Sequence, residues 1–221
     1  INHIRHVKES DRFQPKVGEI YPHWIYIDCR TLTPSESPID FFMRTMSEYI
    51  NLDNFLCDYE KCIKHAYKSQ IDALLKGALT LFSDDDREQR RQIAEMILAD
   101  QREISPFVEK IISYASRNTS VFLVIDNVDQ FEQEVSERIF ADAMALAQRL
   151  RVSLVLEMRD ATFVTNKSKP IFDAFDFDPI SVEPPDVKAV LSRRFTVARE
   201  MLKGKTADFV AENGSKVEIE G

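Results

Sequence analysis

The hydrophobic pattern is sharpest at Val121-Phe-Leu-Val-Ile-Asp126-Asn127-Val128-Asp129, where an unbroken apolar run ends in carboxylates. A short apolar run without polar alternation, rich in β-branched and aromatic residues, fits a strand buried on both faces of a parallel sheet. Comparable runs predict further strands at 24–29, 152–158 and 180–183, each bounded by proline or by charge. Between them lie stripes of helical period. Ser37 reads as an N-cap, with Pro38 in the first helical position and Asp40 in the first turn, so Ile39, Phe42, Met43, Met46 and Ile50 predict a helix over 38–50. A longer stripe lies over 55–82, with its apolar positions running from Tyr59 to Phe82. Acids at Asp84–Asp86 open a strongly charged helix over 87–103, and an apolar face returns from Ile104 to Ala115. Ile139, Ala143, Leu146 and Leu150 mark a helix over 133–150, and Val187, Val190, Leu191, Ala198 and Met201 mark one over 186–203. Strand 121–126, helix 133–150 and strand 152–158 make a βαβ unit, whose strands run parallel. The pattern therefore predicts an α/β fold, a parallel sheet flanked by helices.

The ends of the chain lack this order. Residues 1–22 read as a polar tail, 23–203 as the α/β domain, and 204–221 as a weakly patterned linker. A chain opening at Ile1 reads as part of a longer protein. Of its 221 residues, 37 are acidic against 29 basic, a net charge of -8, which argues against a broad nucleic-acid platform. No apolar run approaches the roughly 20 residues of a membrane helix. Three irregularly spaced cysteines suggest reduced thiols and a cytoplasmic protein. Cys57, Cys62 and His65 cluster in the sequence, but a structural zinc site wants four convergent ligands, and on a helix Cys57 points away from Cys62. They read as core-lining residues. The Asp84–Asp86 run reads as solvated helix capping, since adjacent residues at a helix start point in different directions.

The candidate chemistry sits where the central run stops. Ligands of open α/β sheets bind beyond the carboxyl ends of the strands. An Asp there can hold Mg²⁺ beside phosphates, because that hard cation takes one or two carboxylates and keeps water for the rest. The plainer alternative is a buried strand followed by a turn capped by Asp and Asn.

Together these stretches resemble the nucleotide-binding core of STAND-type, AAA+-related P-loop ATPases, including the NACHT and KAP types. The resemblance covers about 23–200: His23–Thr31 stands as the second strand, Val121–Asp129 as the Walker B strand, Leu154–Arg159 as the sensor strand, and Ile180–Pro185 as a last strand leading into a helix. It implies a three-layer P-loop NTPase-like sheet, bound ATP and Mg²⁺, and an ATP-dependent switch in signalling, defence or regulation. It places the Mg²⁺ on Asp126, assigns catalysis to Asp126, Asn127 and Asp129, and makes Arg159 a sensor of the terminal phosphate. Partners would be ATP or ADP, other proteins, or further copies of the chain, with no membrane.

Two departures shape that expectation. The motif Gly-x-x-x-x-Gly-Lys-Ser/Thr is absent; Gly204-Lys205-Thr206 has only its last three residues and follows a helix rather than a strand. The sheet is thus expected to be incomplete, its first strand and P-loop lying upstream of Ile1 and its lid downstream of Gly221. Second, Asn127 stands where many relatives of this group carry a water-polarising Glu, and an amide is no general base near neutral pH. Asp129 would take the role, or turnover would be slow or lost. Two other readings stay open: a silent scaffold for protein partners, and a metal nuclease using Asp126 with Glu157-Met158-Arg159.

Overall fold

A computed structural model describes residues 22–33, 35–82, 84–159, 178–183, 186–203, 206–210 and 216–220. The chain divides into two compact units, Ile1–Phe175 and Asp176–Gly221.

In the first unit, β1 (His23–Asp28), β2 (Val121–Asp126) and β3 (Ser153–Leu156) form a parallel sheet in the order β1-β2-β3. The α/β class and the central place of 121–126 follow the sequence pattern. Register stacks the strands in layers: Ile25 lies opposite Leu123 and that opposite Leu154, while Ile27, Ile125 and Leu156 form the next row. Because side chains alternate faces along a strand, this row-by-row match sends all the odd-numbered residues of β1 and β2 to one side. Ile25, Ile27, Leu123 and Ile125 are fully buried there.

Helices cover that side. α1 (Pro38–Leu52) starts as the sequence indicates, the Ser37 hydroxyl accepting the Asp40 amide at 3.2 Å and Pro38 occupying the first turn. It contributes Phe41, Phe42, Met43, Met46 and Ile50 to a core shared with the sheet. α2 (Lys68–Lys76) and α3 (Asp86–Glu103) lie farther out, and α3 buries only Ile97. α4 (Ser105–Asn118) adds Phe107, Val108, Ile111 and Ile112; α5 (Gln133–Leu150) adds Ile139, Ala143, Leu146 and Leu150. Each of these Phe, Met, Ile, Leu and Val side chains contributes roughly 1.5–3 kcal/mol on leaving water.

The opposite face, which carries the even-numbered residues of β1 and β2 and Val155 beside Val124, is different. Trp24 stacks on Phe122 with ring centroids 4.1 Å apart, both half-buried, while Tyr26 and Val155 are 37% and 41% exposed. Burial on both faces of β2 is therefore uneven, complete on the helix side and partial on the other.

At the amino end of the sheet, buried His23 opens β1. Its Nδ1 lies 3.1 Å from Asp53 Oδ2, and its Nε2 has no hydrogen-bond partner among the described residues. Asp53 closes α1 and accepts the amides of Phe55 at 2.9 Å and Leu56 at 3.0 Å. Burial alone would raise its carboxyl, but the hydrogen bonds from His23 and the two amides outweigh that and hold it well below the ordinary range.

Three stretches depart from the sequence reading. The stripe over 55–82 is not one helix: a turn at 54–57 leads to a π-turn at Tyr59–Ile63, a single helical turn at Lys64–Ala66, α2, and a 3₁₀ turn at Ala78–Phe82. Asp53 and Asp58 capture backbone amides that a continuous helix would have used, and Gly77 ends α2. The strand expected at 180–183 is absent: 178–183 carry no regular structure, and Ile180 and Val182 are 86% and 82% exposed. Apolar β-branched residues form a strand only when a neighbouring strand accepts their backbone groups and a face buries them. Finally, the tail is not featureless. In the second unit α6 (Val187–Leu202), capped by Asp186, is followed by an antiparallel pair, β4 (Thr206–Val210) and β5 (Lys216–Glu220). Gly204 and Lys205 lie outside the described residues.

The layered core predicts that Ile125→Ala lowers unfolding free energy by about 2–5 kcal/mol, read from the urea midpoint. The Asp53 clamp predicts a pH effect. A carboxyl depressed on folding contributes stability that is fully present above its unfolded value near 4 and is lost as pH falls through the folded one. Urea midpoints of Asp53→Asn should therefore fall less steeply than those of the parent between about pH 5 and pH 2. Equal slopes would place the acid sensitivity elsewhere.

Candidate functional site

At the opposite, carboxyl end of the sheet the register sets Asp28 directly across from Asp126. Adjacent parallel strands are about 4.8 Å apart, so two carboxylates on one face share a single edge. The chain leaves β1 in a 3₁₀ turn, Cys29–Thr31, for which Asp28 is the N-cap. Its carboxylate accepts the Arg30 amide at 3.1 Å and the Arg30 Nε at 3.0 Å. The same Oδ1 accepts Asn127 Nδ2 at 2.9 Å, and Asn127 Oδ1 in turn accepts Gln130 Nε2 at 2.7 Å.

Asn127 adopts a left-handed conformation, φ 63° and ψ 26°, between β2 and the 3₁₀ turn Val128–Gln130. That region suits Asn among the few non-glycine residues that tolerate it. Ser136, on α5, donates its hydroxyl to the Val128 carbonyl at 2.9 Å and fixes the turn to the core.

Tyr26 completes the edge. It stands opposite Val124, so Asp126 is its diagonal neighbour on the same face, and the Tyr26 hydroxyl donates to Asp126 Oδ2. Burial raises the Tyr26 phenol first, then the hydrogen bond to Asp126, then the charges of Asp126, Asp28 and Glu157. The phenol is thus held protonated as a standing donor. Asp28 is shifted the other way: the Arg30 hydrogen bond lowers its carboxyl, outweighing burial, with help from the Arg30 amide and Asn127. Behind them the Cys29 thiol is pushed up to about 12 by burial and by the charges of Asp28 and Asp126, which makes it a poor nucleophile.

The structure places the residues singled out in the sequence as follows. Asp126 ends the central strand. Asn127 spends its amide on Asp28. Asp129 is buried, its side chain 5% exposed, with Arg159 Nε 3.1 Å from Oδ2 in an ion pair whose geometry is not that of a directed hydrogen bond. Arg159, itself 74% exposed, follows β3 at the same carboxyl end as Asp126 but turns to Asp129. Tyr26, Asp28 and Arg30 were not singled out by the sequence reading. Tyr26 and Asp28 share the parity of Trp24, but only the register with β2 shows that they meet Asp126.

Among the described residues no three His, Cys, Asp or Glu side chains converge as a metal cluster. A magnesium ion beside a nucleotide needs fewer protein ligands, since the nucleotide's phosphates and water complete the shell around one or two carboxylates. The donor set fits that demand at one atom. Of the carboxylate oxygens of Asp28 and Asp126, both of Asp28 and Oδ2 of Asp126 are engaged, whereas Oδ1 of Asp126 has no hydrogen-bond partner among the described residues. No helix among the described residues is long and apolar enough to cross a membrane.

The Asn127 geometry separates backbone from side-chain effects. Asn127→Gly keeps the left-handed turn and loses the bonds to Asp28 and Gln130; Asn127→Ala loses both. The alanine variant should be less stable than the glycine variant by about 1 kcal/mol in urea unfolding. Equal midpoints would show that the turn is not held by its conformation.

Compared with known proteins, the chain matches no protein-family model, no curated protein and no solved structure.

Proposed function

We propose that this chain is the Walker B and sensor part of a STAND-type, ATP-dependent molecular switch, with Mg-nucleotide read by Asp126 and Arg159. One observation carries the reading: the parallel order β1-β2-β3 puts Asp126 at the carboxyl end of the middle strand and Arg159 just past the end of its neighbour. That is where an open α/β sheet binds its ligand. In this reading the fold is a three-layer P-loop NTPase-like sheet, and the outer edge of β3 takes the strand that carries the phosphate loop. Asn127 and Asp129 are occupied by Asp28 and Arg159, so neither stands ready as a general base. Nucleotide state, rather than rapid turnover, then sets the conformation and the choice of protein partner or self-association. When ATP arrives, its charge would draw Arg159 from Asp129 towards the terminal phosphate.

A second reading rests on a separate observation. The half-open face carrying Trp24, Phe122, Tyr26 and Val155 suits a silent scaffold that docks a protein there.

Affinity separates the two. Phosphate binding in P-loop proteins comes mainly from successive backbone amides, a helix amino end and a lysine. With no such motif in these residues, the 221-residue chain should bind Mg-ATP more weakly than micromolar by calorimetry. In the intact protein Mg-ATP should bind, and Arg159→Ala should reduce the preference for ATP over ADP more than it weakens ADP binding. Asp129→Asn serves as the control: if it reproduces the Arg159→Ala phenotype, Arg159 only neutralises Asp129. No nucleotide binding by the intact protein would leave the scaffold.

A further inference from the structure

α3 and α4 meet at a single residue, Ile104, whose backbone sits at φ 64° and ψ -65°. The other non-glycine residues of positive φ among the described ones, Asn127 and Arg151, lie in the ordinary left-handed region with ψ 26° and 46°. Ile104 does not. Its angles are those of the rare, strained γ-turn, to which a β-branched residue is poorly suited. Such strain persists only where the surroundings enforce it. Pro106, in the first turn of α4, keeps α3 from running on into α4, and the Ile104 side chain packs against the core. The helices on the two sides of this joint are held unequally. α4 buries Phe107, Val108, Ile111, Ile112 and Ala115, whereas α3 buries only Ile97 and α2 buries none. Partly buried Ile71, Ile93 and Met96 add apolar contact with the core, and the polar tie is one carboxylate. Asp100, near the end of α3, accepts the hydroxyl of fully buried Tyr67 at 2.9 Å and the ammonium of Lys110 on α4. That ammonium also lies 4.9 Å from the centroid of the Tyr67 ring. Tyr67 immediately precedes α2, so this one point joins the start of α2, the end of α3 and the helix that carries the core.

We propose that α2 and α3 form an arm that swings on Ile104 and is latched shut by Asp100. With the arm closed, Ile104 is strained; with the arm open, its backbone relaxes, so the joint favours opening and the charge-assisted latch opposes it. Few buried apolar contacts place such a segment at the low-stability end of a fold, from which moving elements are drawn. Opening uncovers Tyr67 and Ile97, so an apolar surface appears only when the latch is released. The motion needs no nucleotide, and its test leaves the reading of Asp126 and Arg159 untouched.

The experiment uses the whole chain with nitroxide labels on cysteines placed at Ala94 on α3 and Ala141 on α5, both exposed, and with exposed Cys57 replaced by serine. Double electron–electron resonance reads the distance between the labels, and far-ultraviolet circular dichroism reads the helix content. The parent should give one distance. Asp100→Ala should add a second at unchanged helix content, the open-to-closed ratio rising roughly tenfold or more above the parent's. Lys110→Gln, which leaves Tyr67 bonded to Asp100, should add less of it. In the Asp100→Ala background, Ile104→Gly should show an open-to-closed ratio roughly three- to tenfold below that of Ile104→Ala. Both substitutions remove the packing of the side chain, but only glycine removes the Cβ that strains the joint. A single unchanged distance in both Asp100→Ala and Lys110→Gln would overturn the proposal. So would loss of helix in place of a second distance, which means fraying, or equal ratios for the glycine and alanine variants.

Discussion

The register of β1 against β2 is the constraint from which both core and candidate site derive. A shift by one residue would turn Ile25 and Ile27 out of the core and drive Trp24 and Tyr26 against α1 and α4. The rows Ile25–Leu123–Leu154 and Ile27–Ile125–Leu156 make that shift costly, since each row fills one layer beneath the helices. The same alignment fixes which polar groups meet at the carboxyl edge. Asp28 stands beside Asp126, and Tyr26 reaches the latter diagonally, because apolar residues lower in the strands have already chosen the pairing.

Around that frame, acidic side chains are partnered one by one. Asp53 is met by His23 and two amides, Asp28 by Arg30 and Asn127, Asp129 by Arg159. In a chain of net charge -8 this local pairing removes like-charge repulsion from the places where strands end. It also gives the carboxyl edge its chemical character. Asp126 is bound by a neutral donor, the Tyr26 hydroxyl, while its neighbour Asp28 is paired with a cation. A partly covered sheet face lies beside this edge, with Trp24 and Phe122 stacked on it.

The βαβ unit was legible because its signal is local. A β-branched run ending in Asp126, an amphipathic stripe over 133–150 and a second run at 152–158 specify strand, helix and strand without outside help. α1 was legible for the same reason, since Ser37 and Pro38 cap it from within its own sequence. The stripe over 55–82 misled because apolar spacing is shared by a helix and by a series of short turns. What decides between them is Asp53, whose carboxylate takes the Phe55 and Leu56 amides while its other oxygen holds His23, thirty residues earlier. The pair β4–β5 carries a local signal in the period-two alternation of Lys216-Val-Glu-Ile-Glu220.

By itself, then, the sequence determined the α/β class, the central strand, its closing carboxylate and the helices that carry their own caps. All of these follow from neighbours within a few residues. Only the tertiary structure decided that Ile180–Glu183 forms no strand, for strand formation needs a partner edge that no local pattern supplies. Only it brought Tyr26 and Asp28 to Asp126 and turned Arg159 towards Asp129. Tyr26 and Asp126 are a hundred residues apart in the chain, and their meeting depends on strand register, which core packing sets and the spacing of either residue alone does not reveal.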